Sequence, residues 1–286
     1  MAQNAAQTGL FVNTALAIIK LIAGVVGHSY ALIADAVEST ADIFSSIVVW
    51  SGLHIASQPA DDDHPYGHGR AEALAGAVVA LMLLGAALGI AIQAIRAIRS
   101  PHDVPRPWTL LVLGVIIVIK EYLYRRVVAV GHEVGSTAVK ADAQHHRTDV
   151  FTSLAAFIGI CIAVTGGPRW AAADGWAALV AAAVICYNGV LMLEPSINDL
   201  MDRAPDENVV QQISSAACAI EDVCAVEKLK VRKMGLAYLV DLHVQADPQL
   251  SLHDAHIVSG KVKGAIRAAV PSVAEVLIHM EPYEGV

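Results

Sequence analysis

Charged and aromatic residues are both scarce in this chain. Of its 286 residues, 16% are charged and 5% aromatic, whereas 56% are hydrophobic. This balance is too apolar for an ordinary soluble domain of the same length. The few aromatic rings imply no large aromatic pocket, and the apolar residues are mostly Ala, Val, Leu and Ile, as in lipid-facing helices. The composition therefore predicts an integral membrane protein in contact with the lipid bilayer.

The chain also has fewer basic than acidic residues, and it has no paired cysteines. The chain has 19 Lys and Arg against 27 Asp and Glu, a formal net charge of −8, so we expect no nucleic-acid partner, which would need a basic surface. The four cysteines form no CxxC pair, and we expect them to be reduced. No basic segment precedes the first apolar stretch, so we expect no cleaved signal peptide. Acidic residues and 12 histidines remain, and both suit cations.

Six apolar runs are long enough to cross a bilayer, which needs roughly 20 helical residues. Polar turns separate them, and they cover approximately residues 10–27, 31–56, 71–98, 108–130, 141–164 and 172–193. An even number of spans places both termini on one side of the membrane. The distribution of Lys and Arg between the loops favours the cytoplasm for that side. We expect a multi-pass protein of a bacterial plasma membrane.

The character of the chain changes near Pro205. Apolar runs shorten, charges rise and period-two alternation appears. The pattern predicts a helix over 206–220, strands around 228–233 and 240–245, a helix over 252–269 and a strand over 273–281. This α-β-β-α-β order suits a small two-layer α+β domain. We therefore predict a transmembrane domain at 1–204 and a second domain at 205–286.

The second and fifth apolar runs echo each other. The matching segments are 34–46 and 141–153. In each, a potential metal ligand, Glu38 or His145, precedes an aspartate, Asp42 or Asp149, by four residues. This spacing keeps each pair on one helical face.

Acidic groups inside a bilayer cost roughly 2.5 to 3.5 kcal/mol each on insertion scales. A dication bound between the two helices would offset that cost, and a neutral imidazole would complete a tetrahedral ligand set. The sequence thus predicts a metal site formed by Glu38, Asp42, His145 and Asp149. The alternative is that these are polar groups near helix ends or between helices. Asp35 and Asp142 open the two segments near their helix starts, where a carboxylate also favours the helix dipole, so a structural and a ligand role are equally open for both.

Two further clusters suit metal ions. In the polar loop after the second run, His64 and His68 lie where they can share an ion with Asp61, although a simple turn before the third helix is an equal alternative. In the second domain, alternation and helical spacing bring ligand side chains toward one region. These residues are Asp241, His243, Gln245, His253, His256, His279 and Glu281.

The sequence resembles the cation diffusion facilitators over almost its whole length. The segments that carry the resemblance are LIADAVESTAD at 32–42, DHPYGHGRAE at 63–72, ADAQHHRTD at 141–149, and the LHV and IHMEP pieces of the tail. The resemblance implies six membrane helices, a cytoplasmic ferredoxin-like, metallochaperone-like domain, and a homodimer. It also implies efflux of Zn²⁺ or a similar ion by proton antiport, with alternating access at the site between the second and fifth helices.

The resemblance also assigns roles to individual residues. It implies a metal site at Asp61, His64 and His68, cytoplasmic metal ligands, and a salt bridge between Arg70 and Asp202 that couples the two domains. The implied cytoplasmic ligands are His243, His256, His279 and Glu281. Glu38 departs from the family pattern, in which His or Asp is usual. A site of three carboxylates and one imidazole leaves Fe²⁺, Mn²⁺ and Co²⁺ as candidate ions beside Zn²⁺.

Two other classes of protein compete with a transporter. An intramembrane metalloenzyme would use the same residue types to activate water, but the HExxH-like segment at His132 and Glu133 has Ser136 in place of its second histidine. We therefore expect no enzyme. A membrane-anchored metal sensor would bind ions without moving them.

Overall fold

Six long helices occupy the first two hundred residues. The computed structural model describes the backbone of residues 2–100, 104–134 and 137–284, and the side chains of residues 13–100, 104–122, 125, 150 and 152–284. The helices are α1 (Ala2–Gly27), α2 (Tyr30–Ala56), α3 (Arg70–Arg99), α4 (Trp108–Val134), α5 (Thr137–Gly166) and α6 (Ala172–Leu200). A short 3₁₀ turn, Gly167–Trp170, joins α5 to α6.

Several of these helices have the length and composition of membrane spans. Among the described residues, three stretches qualify: Arg70–Arg99, Thr152–Trp170 and Ala172–Leu200. Helix α2 differs from them because Asp35, Glu38 and Asp42 interrupt its apolar sequence within about two turns. A count of six spans remains a prediction.

The chain forms two compact units. The first contains Met1–Val48 and Val78–Leu193, and the second contains Val49–Ala77 and Glu194–Val286. The connection between α2 and α3 therefore belongs to the second unit, together with the adjoining helix ends. The domain boundary at 204/205 is a separate prediction from composition.

Small residues let the helices of the first unit approach closely. A Cβ atom placed on Gly159 of α5 would lie 2.3 Å from the Cβ of Ala177 on α6. Gly24 of α1 is similarly tight against Ile33 of α2, with the nearest side-chain atom at 2.8 Å. Close backbone approach of this kind is how membrane helices gain packing energy without a hydrophobic driving force.

The second unit contains the predicted α+β domain. Its elements are α7 (Glu207–Cys218), β1 (Ala225–Met234), β2 (Ala237–Ala246), α8 (Leu252–Ala269) and β3 (Val273–Pro282). The sheet has the order β1-β2-β3, with β1 antiparallel and β3 parallel to β2. Apolar residues of both helices and all three strands form one core. The predicted fold class, membrane helices followed by an αββαβ domain, is confirmed.

A tight turn joins β1 to β2. Gly235 adopts φ +62° there, a conformation that favours glycine because it has no Cβ. The turn contacts the residues before α3, and a Cβ on Gly235 would lie 3.2 Å from the Cα of Gly69.

Candidate metal sites

A buried carboxylate fixes the beginning of α2. The Ser29 hydroxyl donates to Oδ1 of Asp174 at 2.6 Å, and the backbone N–H groups of Tyr30 and Ala31 donate to Oδ2 and Oδ1 at 2.6 and 3.3 Å. Asp174 lies at the start of α6 and is fully buried. Its charge satisfies N–H groups that have no partner within the helix and stabilises the positive end of the helix dipole.

Helices α2 and α5 run antiparallel where they meet. The Ser153 hydroxyl of α5 donates to Oδ1 of Asp35 on α2 at 2.8 Å. Nearer the start of α2, Leu32 belongs to the same buried cluster as Ala156 and Ile160, which lie further along α5. Because residue numbers fall on one helix as they rise on the other, the directions are opposite.

The predicted ligands on α2 lie beside this contact. Glu38 follows Asp35 by one turn and is buried, with 8% of its surface exposed. Asp42 follows by another turn and is half-buried. On α5 the backbone places His145 and Asp149 within the helix, but their side chains lie outside the described residues.

The polar loop between α2 and α3 brings its three predicted ligands together. One ligand atom each from Asp61, His64 and His68 lie within 4.8 Å of one another. Asp61 is 3.3 Å from Nδ1 of His64 and 3.3 Å from Nε2 of His68. Gly67, at φ +83°, turns the backbone between the two histidines, a conformation that glycine adopts without steric cost. The arrangement suits a divalent cation held by two imidazoles and one carboxylate.

Hydrogen bonds within the loop orient its candidate ligands. The backbone N–H of His64 donates to Asp61 at 2.7 Å, and this bond lowers the pKa of the Asp61 carboxyl below its usual value. Nδ1 of His68 lies 3.2 Å from the carbonyl oxygen of Pro59. If Nδ1 carries the proton, it donates to this carbonyl and Nε2 has its lone pair toward Asp61. A hydrogen bond from the other ring nitrogen is the usual support of a metal-binding histidine.

The tail contains a second cluster on neighbouring parallel strands. His243 of β2 is paired in register with His279 of β3, and Glu281 lies two residues further along. Ligand atoms of these three side chains lie within 4.8 Å of one another, with Nδ1 of His243 2.6 Å from Oε1 of Glu281. That hydrogen bond lowers the pKa of the Glu281 carboxyl.

His256 does not join this cluster in the described part of the chain. It is exposed on α8, whose buried face consists of Val258, Val262 and Ile266. Lys228, which sequence reasoning did not select, lies here instead. Its Nζ is 3.4 Å from both Nδ1 of His243 and Oε1 of Glu281, at a bulge in β1 where Lys228 has φ +48°.

The predicted partners Arg70 and Asp202 are in contact. Nη2 of Arg70 donates to Oδ1 of Asp202 at 2.6 Å, and both side chains are partly exposed. A second pair lies one turn away, where Lys233 of β1 donates to Asp199 of α6 at 2.7 Å. This hydrogen bond raises the pKa of Lys233. Two ion pairs therefore join the α+β domain and the start of α3 to the end of α6.

Sequence reasoning also missed Lys20 and Asp174. Lys20 is a lone cation in the first apolar run, and an ionisable residue within a membrane helix is a functional signal in its own right. The role of Asp174 was harder to predict from the sequence, because its partner Ser29 is 145 residues away.

Comparison with known proteins identifies the family. The transmembrane domain of cation efflux proteins matches residues 6–201, and the cytoplasmic domain of cation efflux proteins matches residues 205–283. The chain belongs to the cation efflux family. It is therefore an integral membrane transporter of divalent metal cations and not an enzyme, as predicted. The α+β domain of this cation efflux protein is the cytoplasmic domain of the family.

Two bacterial relatives match this cation efflux protein along nearly their whole length. The manganese efflux system protein MneP of Bacillus subtilis is 31% identical over 99% of this chain and 97% of its own length. The cation-efflux pump FieF of Shewanella oneidensis is 30% identical over 96% and 92%. Among solved structures, a variant of MamM CTD is 23% identical and covers 27% of this chain and 95% of its own, with a TM-score of 0.27.

Proposed function

We propose that this cation efflux protein exports a divalent transition-metal ion in exchange for protons at a site between α2 and α5. The antiparallel register of the two helices carries this proposal. The contact between Asp35 and Ser153 fixes the register, and the proposed ligands lie about one and two turns beyond it on each helix. These ligands are Glu38, Asp42, His145 and Asp149.

The ligand set favours a hard cation. Three carboxylates and one imidazole supply more oxygen than nitrogen, and oxygen ligands suit Mn²⁺ better than they suit Zn²⁺. MneP, similar over 99% of this chain, is described as a manganese efflux protein. We therefore place Mn²⁺ first as cargo, ahead of the Zn²⁺ that the sequence resemblance suggests, with Fe²⁺ and Co²⁺ as further candidates.

Proton exchange follows from competition for one site. A metal ion binds the neutral imidazole and ionised carboxylates, so protons must leave before it enters. Buried, like-charged carboxylates hold protons more tightly than exposed ones, which lets arriving protons release the ion on the far side. Glu38 is buried, which supports this coupling.

Flux in proteoliposomes tests the proposal. A metal-sensitive dye and a pH-sensitive dye inside the vesicles report ion entry and coupled proton exit. We expect His145→Ala to abolish both signals for Mn²⁺, Zn²⁺, Fe²⁺ and Co²⁺. The matched control is His253→Ala, because His253 is exposed on α8 and lies outside the described clusters. Unchanged flux in His145→Ala would overturn the site, and metal binding by the native chain without flux would indicate a sensor.

Topology and assembly complete the proposal. We propose six membrane spans with both termini in the cytoplasm. We also propose domains at 1–204 and 205–286, and the two family matches at 6–201 and 205–283 support that boundary. We further propose a homodimer, since the second match is to a domain that the family uses for dimerisation. Light scattering of the purified protein should give twice the 30.1 kDa mass of one chain; a monomer mass would contradict this.

The loop and tail clusters act as accessory metal sites in this proposal. Asp61, His64 and His68 bind an ion in the loop, and His243, His279 and Glu281 bind one in the cytoplasmic domain. The contact between Arg70 and Asp202 then couples the cytoplasmic domain to the membrane helices. Isothermal titration of the native protein with Zn²⁺ or Mn²⁺ should show more than one binding site per chain, and a single site would contradict these assignments.

A further inference from the structure

A buried ion pair links three helices of the first unit. Lys20 of α1 is fully buried, and its Nζ lies 2.6 Å from Oδ2 of Asp35 on α2. It also donates to the hydroxyls of Ser39 on α2 at 3.0 Å and Ser153 on α5 at 3.3 Å. We call these four residues the Lys20 clasp.

The clasp combines an ion pair and two hydrogen bonds at one ammonium group. A lysine ammonium has three N–H donors and no acceptor, so a carboxylate and two hydroxyl oxygens are suitable neighbours for it. Ser153 passes the interaction on, because its own hydroxyl donates to Oδ1 of Asp35 at 2.8 Å. Both oxygens of that carboxylate are thus held, one by α1 and one by α5.

Stability alone is a weak explanation for such a group. Removing two charges from water is costly, and buried ion pairs are often no more stabilising than apolar residues of similar volume. A buried ion pair can define a geometry. When its partners shift out of position, they lose more interaction free energy than packed methyl groups do. An ionisable residue in a membrane helix is accordingly a functional signal.

The clasp lies one turn from the proposed transport site on both helices. Asp35 precedes Glu38 by three residues, and Ser153 follows Asp149 by four. Residues with these spacings share a helical face. Because the helices are antiparallel, displacement of Ser153 relative to Asp35 moves the ligands of α5 past those of α2.

We propose that Lys20 is a positioning residue for metal transport. With Asp35 and Ser153, it fixes the register of α5 against α2 and so sets the separation of the two halves of the metal site. The clasp also keeps Asp35 out of the ligand set, because Lys20 and Ser153 hold both of its oxygens. This inference rests on the proposed function.

Ser153→Ala is the central variant, because it cuts the link to α5 without removing a charge. We expect the KM for Mn²⁺ to rise about tenfold, the usual effect of losing a group that orients metal ligands. The maximal rate should remain close to the native value, and the thermal midpoint should fall by only a few degrees, because the variant leaves Oδ1 of Asp35 without the Ser153 hydroxyl. The matched control is Thr165→Ala on the same helix, since Thr165 donates only to carbonyl oxygens of its own helix in the described hydrogen bonds, and we expect native KM.

A second pair of variants separates positioning from charge balance. Lys20→Met leaves the Asp35 carboxylate without its buried counter-ion, so misfolding is an acceptable result for that variant alone. Lys20→Met combined with Asp35→Asn removes both charges, and we expect it to fold and to show the raised KM. Native KM in this double variant would show that the clasp only balances charge and would overturn the proposal.

The outcomes separate the two levels of inference. If the native protein transports no metal ion, the proposed function is wrong and this inference is wrong with it. If the native protein carries Mn²⁺ and Ser153→Ala has the same KM, only the positioning role is overturned. A raised KM together with an altered order of preference among Mn²⁺, Zn²⁺, Fe²⁺ and Co²⁺ supports it, because a protein that was merely less stable would lose all of these activities in proportion.

Discussion

Substitution of Gly69 by alanine should loosen the contact between the start of α3 and the β1–β2 turn. A Cβ atom at this position would lie 2.9 Å from both the carbonyl carbon and the carbonyl oxygen of Met234. Favourable contacts between heavy atoms begin at about 3.5 Å, so the turn must retreat by roughly half an ångström or more. Backbone cannot swing aside as a side chain does. The substitution therefore acts on the whole turn.

The expected cost follows from the clash. Overpacking a close-packed position costs about 1 to 3 kcal/mol, which for a chain of this size corresponds to a fall in thermal midpoint of about 2 to 12 °C. Differential scanning fluorimetry of the detergent-purified protein measures this change. Hydrogen exchange should increase in the β1–β2 turn and at the start of α3, and stay native in β3.

Gly260→Ala provides the matched control. Gly260 lies within α8, and a Cβ there would meet nothing within 4 Å. Alanine in a helix is favoured over glycine by about 0.8 to 1 kcal/mol, so this variant should be slightly more stable than the native protein. If Gly69→Ala behaves like Gly260→Ala in both measurements, the tight approach at Gly69 is wrong.

Two further substitutions test the other polar contacts. Asp174→Ala removes the acceptor of the Ser29 hydroxyl and of the first N–H groups of α2; we expect a loss of about 1 to 2 kcal/mol and a lower thermal midpoint, and no loss would refute the capping role. Lys228→Ala removes a cation from beside His243, so Zn²⁺ should bind the cytoplasmic cluster about two- to fivefold more tightly by isothermal titration. The control Lys230→Ala lowers the charge equally, and an identical gain there would contradict direct competition.

The sequence patterns grouped neighbouring side chains best where the residues are close in the chain. Asp61, His64 and His68 lie within one loop, so their spacing and the intervening glycine sufficed to group them. The alternation of apolar and polar residues predicted which face of β3 carries His279 and Glu281. The parallel pairing with β2 that completes the cluster depends on the crossover through α8, which periodicity alone does not fix.

Sequence patterns could not predict contacts between helices that are far apart in the chain. Lys20, Asp35 and Ser153 belong to three helices. Lys20 is an isolated charge in an apolar run, whereas Asp35 and Ser153 lie within the two duplicated segments, and spacing along one helix does not pair residues of different helices. His256 shows the converse limit. Its one-turn spacing from His253 predicts a shared helical face, but which face of α8 meets the sheet is decided by Val258, Val262 and Ile266.

The carboxylate of Asp174 has a consequence for the path of the cargo. An uncapped helix presents about half of a positive elementary charge at its beginning, which would repel a dication that leaves the proposed transport site toward the start of α2. Asp174 contributes a fixed negative charge at that point, within 2.6 Å of the first N–H group. Because the full negative charge of Asp174 exceeds about half of a positive charge at the helix end, the net charge there is about minus one half, and the start of α2 does not repel a departing cation.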